Sequence, residues 1–191
     1  MENYRCEISD MKEIRQLTDS TLSELGEQEE IFKIKLSEHM KSVLNVEQNY
    51  SVLRSTREDW QKSNYLFKNY DLVWFTDGSK TTKGIGLGIY SSTCSNYISL
   101  GKNMTVFQAE ILVITGCSEL LIEQDLVGHK ILICSDSLSA LNSFKKDKIN
   151  SRLVGDCCKT LNELGRNNEV VLTWVPGQDM LELMVMKKLT N

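Results

Sequence analysis

The chain has 191 residues, of which 41% are hydrophobic, and its formal net charge is −4. This length allows one ordinary domain plus an extension, with a core large enough to fold without disulfides. No apolar run is long enough to span a membrane, and the two histidines are too few for a zinc site. The six cysteines form no CxxC pair, and no signal peptide is recognisable. We therefore expect an intracellular protein with free thiols that does not associate with membranes.

Residues 1–60 are rich in Glu, Gln, Ser and Lys and contain two amphipathic stretches separated by Gly26. Their apolar residues recur at helical spacing, which predicts a helical extension that could form a hairpin. The first stretch contains Ile8, Met11, Ile14, Leu17, Leu22 and Leu25, and the second contains Phe32, Leu36, Met40, Val43 and Val46. Two alternatives stay open: a solvated extension, or self-association through residues 8–46 as a coiled coil with an imperfect heptad pattern. We expect residues 61–70 to be a linker.

From residue 71 onwards the pattern predicts an α/β domain. Three strands come first and suggest an antiparallel meander, after which helices and strands alternate, so the sheet should be mixed and covered by helices. The predicted strands are Leu72–Thr76, Gly84–Tyr90, Tyr97–Leu100, Lys130–Ser135 and Val170–Val175, and the predicted helices are Thr105–Glu123, 137–146 and 151–165.

Three acids fall where this fold could bring them together. Asp77 is predicted to end the first strand, Asp136 to end the fourth, and Glu110 to lie one turn into the first long helix. Two carboxylates ~4 Å apart repel by about 4 kcal/mol at an effective dielectric of 20, and a divalent cation turns this repulsion into binding. Oxygen ligands select Mg²⁺ or Mn²⁺ over zinc. Singly, each acid has another interpretation: Asp77 in a turn, Asp136 as a helix cap, and Glu110 facing solvent.

Residues 71–177 resemble a type 1 ribonuclease H domain of the kind found in non-LTR retrotransposon polyproteins. The resemblance implies a ribonuclease H-like five-stranded mixed sheet with flanking helices, and metal-dependent cleavage of the RNA strand of RNA·DNA hybrids. Asp77, Glu110 and Asp136 take the places of three family metal ligands, which would hold Mg²⁺ or Mn²⁺, as a pair of ions. The matching segments are Phe75-Thr76-Asp77-Gly78-Ser79, Gly84 to Tyr90, Phe107-Gln108-Ala109-Glu110, Ile133-Cys134-Ser135-Asp136-Ser137 and Trp174-Val175-Pro176-Gly177.

Several residues next to these acids are candidates for nucleic-acid contacts. Backbone amides, hydroxyls and lysines are the usual partners of phosphates, although a solvated surface is the alternative for such residues. The candidates are Gly78, Ser79, Lys80, Gln108 and Ser137.

The resemblance ends after Gly177, although we take the domain to run over residues 71–191. The family motif continues with a histidine and later a fourth aspartate ligand, but Gln178 and Lys188 occupy those places. Glutamine cannot shuttle protons as imidazole does, and a lysine repels the cation. We expect a weakened hybrid-cleaving enzyme. The alternatives are an inactive retroelement remnant that still binds nucleic acid, and a helical interaction protein that acts through residues 1–60.

A shift of reading frame near Gln178 would explain this degenerate end. In the shifted frame, the codons of Met184 and Val185 give glycine, and those of Met186 and Lys187 give glutamate. The remaining codons permit the rest of the missing family motif. The hypothesis is therefore that an insertion, from element decay or faulty gene assembly, displaced the frame.

Overall fold

The computed structural model describes residues 39–44, 47–53, 56–58, 66–82 and 84–180. The strands are β1 His39–Leu44, β2 Tyr50–Leu53, β3 Leu72–Thr81, β4 Gly84–Tyr90, β5 Ser95–Gly101, β6 Lys130–Ser135, β7 Lys148–Ser151 and β8 Glu169–Trp174. The helices are α1 Val106–Glu123, α2 Leu138–Ser143 and α3 Arg152–Gly165, with a short 3₁₀ helix at Leu66–Asn69. No helix of these residues is both long and apolar enough to cross a membrane.

The central sheet is mixed and has six strands in the order β2-β8-β6-β3-β4-β5. Strands β2, β8, β6 and β3 are parallel neighbours, whereas β3, β4 and β5 form an antiparallel meander. The predicted α/β class and mixed sheet with flanking helices are therefore confirmed. The expected five strands are all present, and β2 adds a sixth at the edge.

Two apolar clusters hold the sheet between its covering layers. Alternate side chains of a strand point to opposite faces, so Trp74 and Ile133 join the larger cluster, which contains the buried sides of α1 and α3. Phe75 and Cys134 join a smaller cluster on the other face, where Met180 packs near the end of the described chain. Strand β6 contributes side chains to both clusters, which explains why its sequence is apolar on both faces.

The sequence prediction is wrong for residues 39–44 and 50–53, which are strands and not part of a helical extension. Strand β1 pairs antiparallel with β7, which the sequence did not predict, and β2 pairs parallel with β8. Met40 and Val43 repeat at helical spacing, but pairing with a distant segment decides their conformation. Residues 1–38 lie outside the described residues, and so does most of the segment for which self-association is a prediction.

Polar side chains fix β2 and the residues before it to α3. The backbone N–H of Asn49 donates to Oδ1 of Asn162 at 2.7 Å, and Nδ2 of Asn162 donates to the carbonyl oxygen of Glu47 at 2.9 Å. Tyr50 is 5% exposed, and its hydroxyl donates to the carbonyl oxygen of Phe144. The sheet therefore begins well before residue 71.

Candidate metal centre

Asp77 and Asp136 lie side by side because they occupy equivalent places on two parallel strands. Strand β3 pairs with β6, and the last pair in the register joins Thr76 to Ser135, so each acid is the next residue of its chain. The strands of Asp77 and Asp136 are therefore neighbours, which is the condition for the two acids to meet. The prediction that Asp77 ends its strand is wrong, because β3 continues to Thr81 and Asp77 pairs with Gly88 of β4.

Glu110 reaches the same point from α1, whose start is fixed by a capping box. The Thr105 hydroxyl accepts a hydrogen bond from the backbone N–H of Gln108, and Oε1 of Gln108 accepts one from the N–H of Thr105. Gly78 allows α1 to approach β3 closely, since a Cβ there would lie 2.9 Å from the backbone nitrogen of Glu110. The N–H of Gly78 donates to Oε1 of Glu110 at 3.2 Å.

The three acids form one cluster in which a carboxylate oxygen of each lies within 4.8 Å of the others. Glu110 is only 4% exposed, and its Oε2 is buried without a hydrogen-bond partner in the described part of the chain. Asp77 and Asp136 are half-buried. A buried, unpaired carboxylate oxygen is unfavourable, so this arrangement is suited to a bound cation.

The surroundings of the three acids favour their protonated forms. Burial raises the pKa of Glu110 to about 8, and the neighbouring Asp136 contributes in the same direction. Burial also raises the pKa values of Asp77 and Asp136, and for Asp136 the charge of Asp77 adds to the effect. A cation reverses each of these shifts because it stabilises the charged form.

Backbone contacts around Asp136 hold it in place. Nε1 of Trp174 donates to the Asp136 carbonyl oxygen at 2.9 Å, and the N–H of Val175 donates to the carbonyl oxygen of Ser135 at 3.0 Å. Gly177 sits directly against the carboxylate, where a Cβ would lie 2.7 Å from Oδ2 of Asp136. The end of β8 and the following turn therefore determine where this carboxylate points.

The residues present fit a hard divalent cation. The cluster offers only carboxylate oxygens, which is the ligand type preferred by Mg²⁺ and Mn²⁺, and a cation would satisfy Oε2 of Glu110. Within the residues that the structure describes, no other group of three acids, cysteines or histidines meets in this way. The alternative interpretation of Asp136, as the N-cap of a helix, is wrong because the N-cap of α2 is Ser137.

The residues predicted to contact nucleic acid differ in their positions relative to the three acids. Ser79 lines a cavity beside the acids and Lys80 is exposed. Gly78 contacts Glu110. The side chain of Gln108 accepts from the Thr105 N–H at the start of α1, and the Ser137 hydroxyl caps α2. Their contact with nucleic acid stays a prediction. Gln178 is exposed at the rim of the same cavity, and Lys188 lies outside the described residues.

A cavity of about 660 Å³ adjoins the acids and involves residues that the sequence did not single out. Asp77 and Asp136 line one end, β4 supplies the floor, and Tyr97 of β5 stands at the outer wall. The signal was glycine at positions 84, 86 and 88, because these residues leave one face of β4 without side chains until Tyr90.

The sequence matches no protein-family model. No curated protein matches it. One matching solved structure is RNase H1 from the halophilic archaeon Halobacterium salinarum NRC-1. The two chains are 15% identical, with a TM-score of 0.47, and the match covers 59% of this chain and 92% of that chain. This similarity is too low to carry the activity of that enzyme over to this chain.

Proposed function

We propose that this protein is a metal-dependent endonuclease of ribonuclease H type that cleaves the RNA strand of RNA·DNA hybrids. The observation that carries the proposal is the convergence of Asp77, Glu110 and Asp136, with a buried oxygen of Glu110 that has no partner in the described part of the chain. Asp77 and Asp136 are the accessible ligands, and Glu110 is the buried one.

The roles of the residues follow from their exposure and contacts. Asp77 and Asp136 line the open cavity and would hold one or two Mg²⁺ or Mn²⁺ ions at its end. Such ions polarise a phosphodiester and lower the pKa of water. Glu110 lies behind these acids and is oriented by the N–H of Gly78. Trp174 and Gly177 keep the Asp136 carboxylate at the cavity.

The sequence segments that resemble type 1 ribonuclease H support the choice of substrate. They lie on β3, β4, the first turns of α1, the end of β6 and the end of β8. These are the elements that surround the acidic cluster, so the resemblance is concentrated at the site. We extend the proposal to a retroelement origin, which predicts codons after Gln178 that restore the family motif in a shifted frame.

A second candidate function is hybrid binding without cleavage. Gln178 occupies the place of the family histidine at the rim of the cavity, and its amide cannot transfer protons. This departure leaves three carboxylate ligands, with an amide in place of the imidazole at position 178. We expect either slow cleavage, or binding alone if the three ligands are insufficient.

A cleavage assay with a labelled RNA·DNA hybrid in Mg²⁺ and in Mn²⁺ separates these two functions. Asp77→Asn should abolish cleavage, because it removes a charged ligand while keeping the shape of the side chain. The matched control is Asp125→Asn, in the turn after α1, where φ is 50° and asparagine is tolerated. Equal cleavage by wild type and Asp77→Asn would contradict the proposed nuclease activity. Binding of the hybrid without cleavage would support the second function.

Metal binding can be measured without activity. Titration with Mn²⁺ in a calorimeter should give a binding signal with the wild-type chain and with Asp125→Asn. It should be lost or greatly weakened in Asp77→Asn and Glu110→Gln. Equal Mn²⁺ affinity in all four proteins would exclude this cluster as the metal site.

A further inference from the structure

A second cavity, of about 260 Å³, lies where the ends of β2 and β8 meet α2. Each of these three elements contributes to its apolar lining: Leu53 ends β2, Leu138 and Leu141 belong to α2, and Trp174 ends β8. The described residues that line this cavity are all different from those that line the cavity at the acids. It is therefore a separate feature of the fold.

The walls of this second cavity are held in place by the fold itself. Leu53 pairs with Thr173 in the parallel register of β2 and β8. The indole of Trp174 is fixed by its hydrogen bond to the Asp136 carbonyl oxygen, and the Ser137 hydroxyl caps the first turn of α2. A ligand of a preformed cavity does not have to order the walls, which lowers the cost of binding.

The apolar lining reaches the protein surface. Leu138 is 49% exposed and Leu53 is 40% exposed, whereas Leu141 beneath them is buried. Single exposed leucines are common on protein surfaces. Two of them at the same cavity, beside an indole, form a continuous apolar patch, and patches of this kind are typical of interaction sites.

The size of the cavity limits what it can hold. Cavities for drug-sized ligands usually have volumes of about 300–1,000 Å³. At about 260 Å³, this one is suited to a single bulky side chain such as that of leucine or phenylalanine. One such side chain buried in a pocket is the usual anchor of a contact between proteins.

Two cations stand at the same cavity. Arg57 and Lys145 both line it and are exposed, and neither forms an ion pair with another residue in the part of the chain that the structure describes. A ligand that carries carboxylates next to an apolar group would complement this lining. A phosphate backbone could pair with the cations but would leave the apolar surface of Leu53 and Leu138 in water.

We propose that this cavity is the docking site for an acidic segment of a partner protein, which inserts one leucine or phenylalanine side chain between β2 and α2. Carboxylates on either side of the inserted residue pair with Arg57 and Lys145. The contact area is small, so the interaction is weak and transient. The proposal does not depend on the proposed nuclease activity, because the cavity is separate from the acidic cluster.

The test uses the full chain, isotope-labelled for NMR, and a short peptide blocked at both ends in which aspartates and glutamates flank one phenylalanine. The peptide should shift the amide signals of Leu53 and Leu138 and the indole N–H signal of Trp174. The amide of Val127 should not shift, because this exposed residue precedes β6 at the opposite end of the sheet. Serine in place of the phenylalanine should weaken binding roughly tenfold or more, and lysines in place of the acids should abolish it.

Substitutions in the chain test the two halves of the site separately. Leu138→Ala should raise the Kd of the peptide roughly tenfold. Arg57→Glu and Lys145→Glu should each raise it severalfold, and this effect should fade at high salt concentration. The double variant should bind the lysine-flanked peptide better than the wild type does. Lys102→Glu is the matched control and should behave as wild type, because Lys102 is exposed after β5, at the opposite edge of the sheet from β2.

Three results would overturn the proposal. The first is no shift at this cavity with any of the peptides, including the case in which another part of the chain fills it. The second is equal affinity for the acidic peptide in wild type, Leu138→Ala and Lys145→Glu. The third is a single-stranded DNA oligonucleotide that shifts the same signals and loses affinity in Leu138→Ala, which would assign the cavity to nucleic acid. Circular dichroism checks that each variant is folded, and hybrid cleavage and Mn²⁺ binding at the acids are measured independently of these results.

Discussion

The backbone N–H of Gly78 donates a hydrogen bond to Oε1 of Glu110 at 3.2 Å, which ties α1 to the strand that carries Asp77. The same glycine allows the close approach, because a Cβ would lie 2.9 Å from the Glu110 backbone nitrogen and 3.0 Å from its Cδ. Gly78 therefore sets the distance between the buried carboxylate of Glu110 and the half-buried carboxylates of Asp77 and Asp136.

The variant Gly78→Ala tests this relationship. The added methyl group must push α1 away from β3, so we expect a loss of about 1–3 kcal/mol in the free energy of unfolding, as is usual for overpacked sites. Mn²⁺ affinity should fall at least tenfold because Glu110 moves with the helix. Urea unfolding and calorimetry measure the two effects.

Gly86→Ala is the matched control for this substitution, because the nearest atom to its added Cβ lies at an ordinary contact distance of 3.5 Å. It should change stability and Mn²⁺ affinity little. Similar results for Gly78→Ala and Gly86→Ala would mean that the contact between Gly78 and Glu110 does not control the geometry of the acids.

The raised pKa of Glu110 predicts how stability depends on pH in the metal-free protein. Its pKa is about 8 in the folded chain, compared with an ordinary value of 4.5. Between these values the folded chain keeps a proton that the unfolded chain releases, so the free energy of unfolding decreases as the pH rises. The decrease is up to about 1.4 kcal/mol per pH unit for this one group. Asp77 and Asp136 act in the same direction.

Urea unfolding between pH 5 and pH 8.5 in a chelator measures this decrease. Glu110→Gln should flatten the curve and stabilise the metal-free protein at pH 8, whereas exposed Glu123→Gln should follow the wild type. Mg²⁺ or Mn²⁺ should restore wild-type stability at pH 8 and have little effect on Glu110→Gln. A wild-type curve that rises over this range would contradict the buried, protonated state of Glu110.

The acids could be located from sequence because strong local patterns position them. Asp136 directly follows a strand that is apolar on both faces, and Glu110 lies one turn into a capped helix. The parallel pairing of β3 with β6 then brings Asp77 and Asp136 together. Each of these features depends on residues that are close together in the sequence, or on the general rules for mixed sheets.

Other features depend on pairing between distant segments and could not be predicted. Strand β3 continues past Asp77 through Gly78 and Lys80, residues with a weak strand preference, because β4 pairs with it as far as Thr81. Strands β1 and β2 similarly exist through β7 and β8, about a hundred residues away. Helical spacing at Met40 indicated the wrong element there, since periodicity alone does not report a distant partner.

Gly177→Ala should disturb the proposed metal site without destabilising the fold. The added Cβ would lie 2.7 Å from Oδ2 of Asp136, which is the end of a side chain that can rotate away. Gly177 starts a helical turn, in which alanine is favourable. We expect a change of less than 1 kcal/mol in stability, with Mn²⁺ affinity and any cleavage reduced tenfold or more. Calorimetry and the hybrid assay provide the measurements.

Gly116→Ala is the comparison for Gly177→Ala. Gly116 lies within α1, and an added Cβ would meet only Cδ1 of Ile89 at 3.7 Å. This substitution should stabilise the protein by up to about 1 kcal/mol and leave Mn²⁺ affinity unchanged. Unaltered affinity in Gly177→Ala as well would show that the turn after β8 does not orient Asp136.

The attachment of β2 should depend on Asn162 of α3. This side chain accepts from the N–H of Asn49 and donates to the carbonyl oxygen of Glu47, and it is 8% exposed. Asn162→Ala leaves both backbone groups without these partners, which typically costs about 1–3 kcal/mol for buried groups. We expect faster hydrogen exchange over residues 47–53 and a lower free energy of unfolding.

A second substitution tests the same contact by crowding. A Cβ on Gly165 would overlap the carbonyl oxygen of Asn49, so Gly165→Ala should also detach β2. Exposed Asn142→Ala is the control for both variants. Strand β2 pairs with β8, and Trp174 at the end of β8 donates to Asp136, so loss of β2 should also weaken Mn²⁺ binding. Detachment with unchanged Mn²⁺ affinity would show that β8 and Trp174 hold Asp136 without help from the edge strand.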